Sequence, residues 1–442
     1  MHGDSQQRAR RVVVVGGGVS GLAAAHRLLE LEARTGGAPL EVVLLEASAR
    51  LGGTVRTSER EGFLLEGGPD SFISEKPAAL ELAKRIGLGA RLVGTTSRHR
   101  RSFVVRGGRL RPTPEGFQLL APSRLLPFLT TDIFTWRGKA RMALDLLLPR
   151  RGDSKGEESL AQFVRRRFGD EALVRMAQPM VGGIYTADPE LLSLRATMPR
   201  FLEMERAHRS LILAMWRNGR KQRRDGGHVD KSGASGARYG LFLSFDRGMQ
   251  VLTDALATRL PAGAARLSTR AESVSFDGPA GRWLVKTDGG ETFDADALII
   301  ALPAHAAARL LKGVDAGLAA ELDAIPYAST ATVNLAYRRD SIPHPLDGFG
   351  FVAPFAERRA ALACTFSSVK FEGRAPAGHA LLRAFVGGAL QPEMFALDEA
   401  RMVEAVRSDL RELLGVVAPP VFAHVEKWPR SMAQYHVGHV ER

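Results

Sequence analysis

Val12-Val13-Val14-Val15-Gly16-Gly17-Gly18-Val19-Ser20-Gly21-Leu22 is the stretch that decides the fold of this 442-residue chain. A short β-branched run without polar alternation predicts a strand buried on both faces, as in parallel sheets. It leads into Gly16-x-Gly18-x-x-Gly21 and then a helical pattern in which Leu22, Ala25, Leu28 and Leu29 share one face. Gly16 makes the tight turn, Gly18 lets backbone approach a pyrophosphate, and Gly21 lets helix and strand pack closely. The free N–H groups and positive end of such a helix suit a phosphate anion.

With 46 glycines in the chain, the glycine spacing alone carries little weight. Its context carries more. A second strand, Glu41-Val42-Val43-Leu44-Leu45, ends at Glu46, where an acidic group hydrogen-bonds an adenosine ribose. Strand, glycine loop, helix, strand and acid in this order predict a bound dinucleotide. The acid selects a 2′-hydroxyl over a 2′-phosphate, so FAD or NAD rather than NADP.

Composition narrows the partners. The length suggests two or three domains. The single cysteine, Cys364, excludes an internal disulfide framework and an all-cysteine metal site. It lies in an apolar strand pattern and reads as a packing residue. The 11 histidines show no metal-ligand spacing. The N-terminus has no secretory pattern and no apolar run is long enough to span a bilayer, so a cytoplasmic location is expected. The 61 Lys and Arg against 48 Asp and Glu give a net charge of +13, which suits nucleic acid, an anionic membrane face or an acidic small molecule. No nucleic-acid-binding signature accompanies the basic clusters. A membrane surface or an anionic ligand is therefore the expected partner.

Along the chain, the α/β unit is expected to be assembled from discontinuous pieces. Residues 1–75 form its first segment and 240–310 its second. In the latter, Glu272–Phe276 and Trp283–Thr287 pair, and Asp296–Leu302 returns as a buried strand to the first sheet. Residues 76–110 and 311–419 read as a second domain with a mixed sheet, including a glycine-turn hairpin over Ser102–Leu110. Residues 111–217 read as helical. Leu119, Leu120, Leu125, Leu126, Phe128 and Leu129, with Arg124 and Lys139, fit either a basic membrane-facing helix pair or an internal helical core. Residues 218–239, rich in Gly, Lys, Arg and Ser, read as a flexible basic loop. Two further glycine loops, Leu51-Gly52-Gly53-Thr54 and Gly67-Gly68-Pro69-Asp70-Ser71, follow the ribose acid; each is either a close backbone wrap around a ligand or a plain turn.

Together these motifs resemble the FAD-dependent porphyrinogen oxidases, a branch of the flavin amine oxidase superfamily. The resemblance spans nearly the whole chain. It rests on Gly16–Leu22, Glu46-Ala47-Ser48-Ala49-Arg50-Leu51-Gly52-Gly53, Gly68-Pro69-Asp70-Ser71-Phe72, Gly182-Gly183-Ile184-Tyr185-Thr186-Ala187-Asp188-Pro189, Lys427-Trp428-Pro429 and Gln434-Tyr435. It implies a Rossmann-like FAD-binding domain and flavin contacts from Gly16, Gly17, Gly18, Val19, Ser20, Gly21, Glu46, Ala47, Arg50, Gly53 and Thr54. Further contacts are implied from Gly68, Pro69, Asp70, Ser71, Val274 and, near the ring, Trp428. Thr54 stands where the superfamily often has arginine, so a charge contact there is lost or moves to Arg56. Relatives continue past the Gln-Tyr-x-x-Gly-His stretch into a segment that closes the flavin site. The chain stops at Arg442. A C-terminal truncation is therefore expected, with 420–442 beginning that closing segment.

The activity so implied is oxidation of a porphyrinogen to a porphyrin with O₂ as acceptor, in haem synthesis. Protoporphyrinogen IX is the leading substrate and coproporphyrinogen III the alternative. Propionates on such a substrate call for an arginine anchor. Arg98, Arg100 and Arg101 are the candidates, each equally readable as solvated charge. Ile184 and Tyr185 are candidates for lining the pocket or for a plain turn. No catalytic residue stands out, because the flavin carries the redox chemistry. An amine oxidase, a carotenoid desaturase and a non-catalytic flavin- or porphyrin-binding protein are the rivals.

Overall fold

The computed structural model describes residues 9–36, 39–118, 121–152, 156–224 and 242–442. The chain forms two compact units, Met1–Ser58, Glu66–Leu92 and Ser244–Ile325 in the first, and Glu59–Leu65, Val93–Leu243 and Pro326–Arg442 in the second. The segmentation read from sequence differs from these units. Residues 76–92 and 311–325 group with the first unit, whereas 59–65, 242–243 and the closing residues from 420 onward group with the second.

The first unit is built on β1 (Arg10–Val15), α1 (Val19–Thr35) and β2 (Leu40–Leu45). Val12 stands opposite Val42 on one side and Ala297 on the other, both parallel, and Ala265–Arg266 extends the sheet beyond β2. The late strand does return to the first sheet. Both faces are covered, which is why four valines stand in a row. Val14, Val42 and Leu44 pack with Ala25, Leu28 and Leu29 of α1. Val13, Val15, Val43 and Leu45 pack on the antiparallel Ala271–Asp277, Arg282–Thr287 and Thr292–Ala295 strands through Val274, Val285 and Phe293. Burying each such side chain contributes roughly 1.5–3 kcal/mol relative to solvent exposure.

The second unit carries a seven-stranded mixed sheet in the order Phe422–Ala433, Tyr327–Arg338, His379–Gly387, Ala361–Phe366, Gly350–Val352, Phe103–Arg106, Arg109–Pro112. One face buries Val333, Leu335, Tyr337, Leu382 and Ala384 against Met402, Val406 and Leu410 of the Glu399–Leu414 helix. Cys364 is in this core, and burial pushes its thiol well above the usual range.

Residues 111–217 are mostly helical, with a short strand pair at Phe117–Gln118 and Ala121–Pro122. Residues 218–224 are not loop: the Leu211–Arg224 helix runs through them, and the remainder of the expected basic loop lies outside the described residues, as do Leu119 and Leu120. Lys139, which the sequence leaves open to a basic surface or an internal helical core, is buried. Its ammonium donates to the Leu129 carbonyl at 2.6 Å and lies 4.4 Å from the Trp136 ring centroid.

Two ion clusters tie the helices together. Arg167 and Asp145, both fully buried, pair within this region, and Asp145 also accepts from Ser210 Oγ and Ile212 N. Arg166 bridges Glu158 and Glu205. Burial pushes the Glu205 carboxyl up, but hydrogen bonding and charge from Arg166 pull it further down, to a net position below the usual carboxylate range. Its stabilising contribution is therefore full above that range and is lost as acid protonates it. Glu205→Gln is expected to cost about 2 kcal/mol at pH 7 and progressively less as the pH falls below the usual carboxylate range, read from denaturant unfolding across a pH series.

Candidate functional site

Three glycine loops in the first unit meet by backbone. The Gly52 N–H donates to the Gly17 carbonyl at 2.8 Å, and Gly18 pairs with Gly52 as an isolated parallel bridge. The Gly67 N–H donates to the Arg56 carbonyl at 2.9 Å. A Cβ on Gly21 would lie 1.8 Å from the Gly16 carbonyl oxygen, and one on Gly68 would lie 1.7 Å from that of Thr54. These glycines are required by close packing, as the spacing predicts for Gly21.

Gly18 is different. A Cβ there would find only the Gly53 Cα, at 3.9 Å, so the space above it is open. Gly18 is also the N-cap of α1, with no side-chain cap and no acidic residue in the first turn. The first N–H groups of the helix therefore face this opening with the positive end of the helix dipole behind them. Beside it, the Glu46 carboxylate accepts from Gly17 N at 2.7 Å and Ser48 N at 2.8 Å, one bond on each oxygen. A carboxylate has about four acceptor sites, so Glu46 is oriented by backbone and retains capacity for ribose hydroxyls. An open glycine, an uncapped helix start and an oriented acid fit the pyrophosphate and adenosine ribose of FAD.

Arg50 brings a charge into the second loop. Its guanidinium donates to the carbonyls of Leu51 at 3.0 Å and Val55 at 3.1 Å, and to that of Gly53. Thr54 and Arg56 are exposed, as are Val19, Ser20, Ala47, Gly53 and Pro69. In the third loop, Ser71 Oγ donates to Asp70 Oδ1 at 2.6 Å. Just before it, buried Glu66 accepts from Thr57 Oγ1 at 2.7 Å and Met249 N at 2.8 Å, fixing the loop to the start of the Gln250–Ala257 helix. In the sequence, the only signal for Glu66 is a lone acid ending an apolar strand. Val274 is buried against the parallel sheet.

The remaining candidates belong to the second unit. Arg98 is exposed. Arg100 Nε donates to the Thr96 carbonyl at 3.2 Å. The Arg101 guanidinium pairs with the Asp347 carboxylate, donates to the Asp347 carbonyl at 2.6 Å, and lies over the Phe103 ring. Ile184 and Tyr185 are not in a plain turn. They end the Gln178–Tyr185 helix, which continues five π-helical residues, Leu173–Ala177, and is closed by Thr186 at φ 49°. Ile184 is 48% exposed, whereas the Tyr185 hydroxyl donates to the Thr197 carbonyl at 3.2 Å. Trp428 is half-buried on the edge strand of the large sheet, opposite Thr330. Polar residues also stand inside the central strands, at Asn334 and Arg383. An arginine in Leu381-Leu382-Arg383-Ala384-Phe385 was the visible anomaly.

Residues 19–441 match the family described as flavin containing amine oxidoreductase. The chain is 35% identical to coproporphyrinogen III oxidase of Bacillus subtilis over 98% of its own length and 89% of the relative's. It is 30% identical to the chloroplastic protoporphyrinogen oxidase 1 of Arabidopsis thaliana, over 97% and 79% respectively. A crystal structure of a candidate protoporphyrinogen oxidase from Exiguobacterium sp. 255-15 superposes with a TM-score of 0.83 at 30% identity, covering 98% of this chain and 90% of that one.

Removing the Glu46 carboxylate deletes the oriented ribose acceptor while leaving the glycine loops. Glu46→Ala is expected to weaken FAD binding about 10- to 100-fold, measured by flavin fluorescence on reconstitution. Unchanged affinity contradicts the assigned role.

Proposed function

We propose, on the premise that the chain belongs to the flavin-containing amine oxidoreductase family, that it oxidises a porphyrinogen to a porphyrin in haem biosynthesis. Relatives of that activity at 30–35% identity over nearly the whole chain carry this reading, and the open cradle at Gly18 and Glu46 supports the cofactor it requires. FAD supplies two-electron acceptance and reoxidation by O₂. Conversion removes six electrons and six hydrogens, so one macrocycle consumes three O₂ and yields three H₂O₂.

The work of the polypeptide is to hold and orient. Gly16–Gly21 and the second and third glycine loops, through Ala47, Arg50, Gly53, Thr54, Gly68, Pro69, Asp70 and Ser71, hold the cofactor, with Val274 and Trp428 as further contacts. Arg98, Arg100 and Arg101 are the propionate contacts of this proposal, and Ile184 and Tyr185 line the macrocycle site. Because Arg101 is already paired with Asp347, it acts from a fixed position. Between the two porphyrinogens, coproporphyrinogen III is favoured by the bacterial relatives from Bacillus subtilis and Propionibacterium freudenreichii, at 35% and 36% identity. Incubation with FAD and each porphyrinogen in air is expected to give porphyrin fluorescence and peroxide above the spontaneous rate. A FAD-loaded chain that accelerates neither substrate refutes the activity and favours a binding protein.

Among the described residues no helix is long and apolar enough to cross a membrane. Leu125, Leu126, Leu129, Trp136, Leu144 and Leu147 are nonetheless 37–73% exposed, and Arg124, Arg137 and Arg150 on the same consecutive segments are exposed too. This combination supports a peripheral contact with an anionic membrane face. Co-sedimentation with vesicles containing phosphatidylglycerol is expected and should fall in Leu126→Glu/Leu147→Glu; equal recovery of variant and parent overturns it.

A further inference from the structure

The face of the large sheet turned away from the Glu399–Leu414 helix carries two rows with polar side chains. Followed across the strands by register, His424 stands opposite Asn334, Asn334 opposite Arg383, Arg383 opposite Thr365, and Thr365 opposite Gly350. Two residues further along each strand, the next row runs Glu426, Thr332, Phe385, Ala363 and Val352. On the other side of the Arg383 row, Ala336, Leu381 and Phe422 pack with Phe63 and Leu65 as an apolar cluster. Arg383 is 2% exposed and Asn334 0%, on neighbouring interior strands.

Burying a guanidinium there is costly, and apolar side chains of similar volume commonly serve folding as well or better. The neighbouring apolar row shows that this face accepts them. The helix that ends in Ile184 and Tyr185 comes over the same face: a Cβ on Gly183 would stand 3.7 Å from Val352 Cγ1. The Thr186 carbonyl accepts from Ala389 N just past the Arg383 strand, at 2.8 Å. The helix end that carries the candidate pocket residues thus adjoins the polar rows on one face of the sheet.

We infer that Arg383, with Asn334 beside it, receives a carboxylate of the substrate and so selects a macrocycle bearing four carboxylates over one bearing two. This rests on the porphyrinogen reading above. In a dicarboxylate substrate, vinyl groups occupy the positions where the tetracarboxylate carries its second pair of propionates. A buried arginine on the wall answers that inner pair, whereas an entirely apolar wall answers vinyls. The guanidinium fork matches a carboxylate bidentately. The Phe385 ring, with its centroid 4.7 Å from Arg383 Cζ, supports the guanidinium.

The test compares kcat/KM for coproporphyrinogen III and protoporphyrinogen IX in the FAD-loaded parent, Arg383→Met and Arg383→Lys. Arg383→Met is expected to lower the value for coproporphyrinogen III by about 30-fold or more and to change that for protoporphyrinogen IX little. Arg383→Lys is expected to recover part of the loss. Equal losses on both substrates, or no loss on either, overturn the inference. If Arg383→Met fails to retain flavin, the same ratio in Arg383→Lys and Asn334→Leu decides, with binding of coproporphyrin and protoporphyrin followed by fluorescence quenching. A parent enzyme inactive on both porphyrinogens refutes the proposed activity instead, a separate outcome from an unchanged ratio in an active parent.

Discussion

The first unit depends on backbone meeting backbone where no side chain fits. Gly21 presses on the Gly16 carbonyl, Gly68 presses on that of Thr54, and the Gly52 N–H reaches the Gly17 carbonyl. Each contact fixes one loop against another. Any Cβ at Gly21 or Gly68 would stand closer to backbone oxygen than atoms approach, so these positions tolerate no other residue without a shift of main chain. With the loops locked, Gly18 is left facing open space at the start of α1, and Glu46 is turned by two backbone N–H groups. The cradle is thus preorganised by polypeptide alone, which lowers the ordering cost of binding a cofactor.

The second unit solves a different problem. Its seven-stranded sheet has one face committed to a helix through a continuous apolar core. The other face changes character within a few residues, from the Phe63–Phe422 cluster to the row of Arg383 and Asn334. Strand alternation permits this because side chains on the two faces are independent of each other. Stability is supplied by one face, and the chemistry of recognition is free to occupy the other. The buried ion clusters around Arg166 and Arg167 belong with stability: each arginine meets an acid from another segment and ties helices together.

Patterns with a short period were legible in the sequence. The four valines, the spacing from Gly16 to Gly21 and the acid at Glu46 predict the βαβ start, and the register of β1 with β2 and Ala297–Ile300 matches. Glu399–Leu414 reads as a helix of the same bounds. Misreadings have physical reasons. Residues 218–224 are polar and basic, yet Lys, Arg and Gln are good helix formers and the helix begun at Leu211 continues through them. For Lys139 the sequence leaves surface and core open, and its ammonium finds a carbonyl and an aromatic face inside the helical region. Arg101 is paired with Asp347, 246 residues away, which no local pattern shows.

The sequence by itself determined the local units: a phosphate-ready strand–loop–helix, an acid placed for a ribose, and strands whose alternation or lack of it tells how many faces are buried. These depend on neighbours within a few residues, where backbone geometry leaves few choices. Tertiary structure decided which glycines are packing glycines and which leave room, which arginines are already paired, and that Arg383, Asn334 and His424 line up across three strands. Those facts arise from contacts between segments far apart in the chain, and no periodicity in the sequence encodes the register that brings them together.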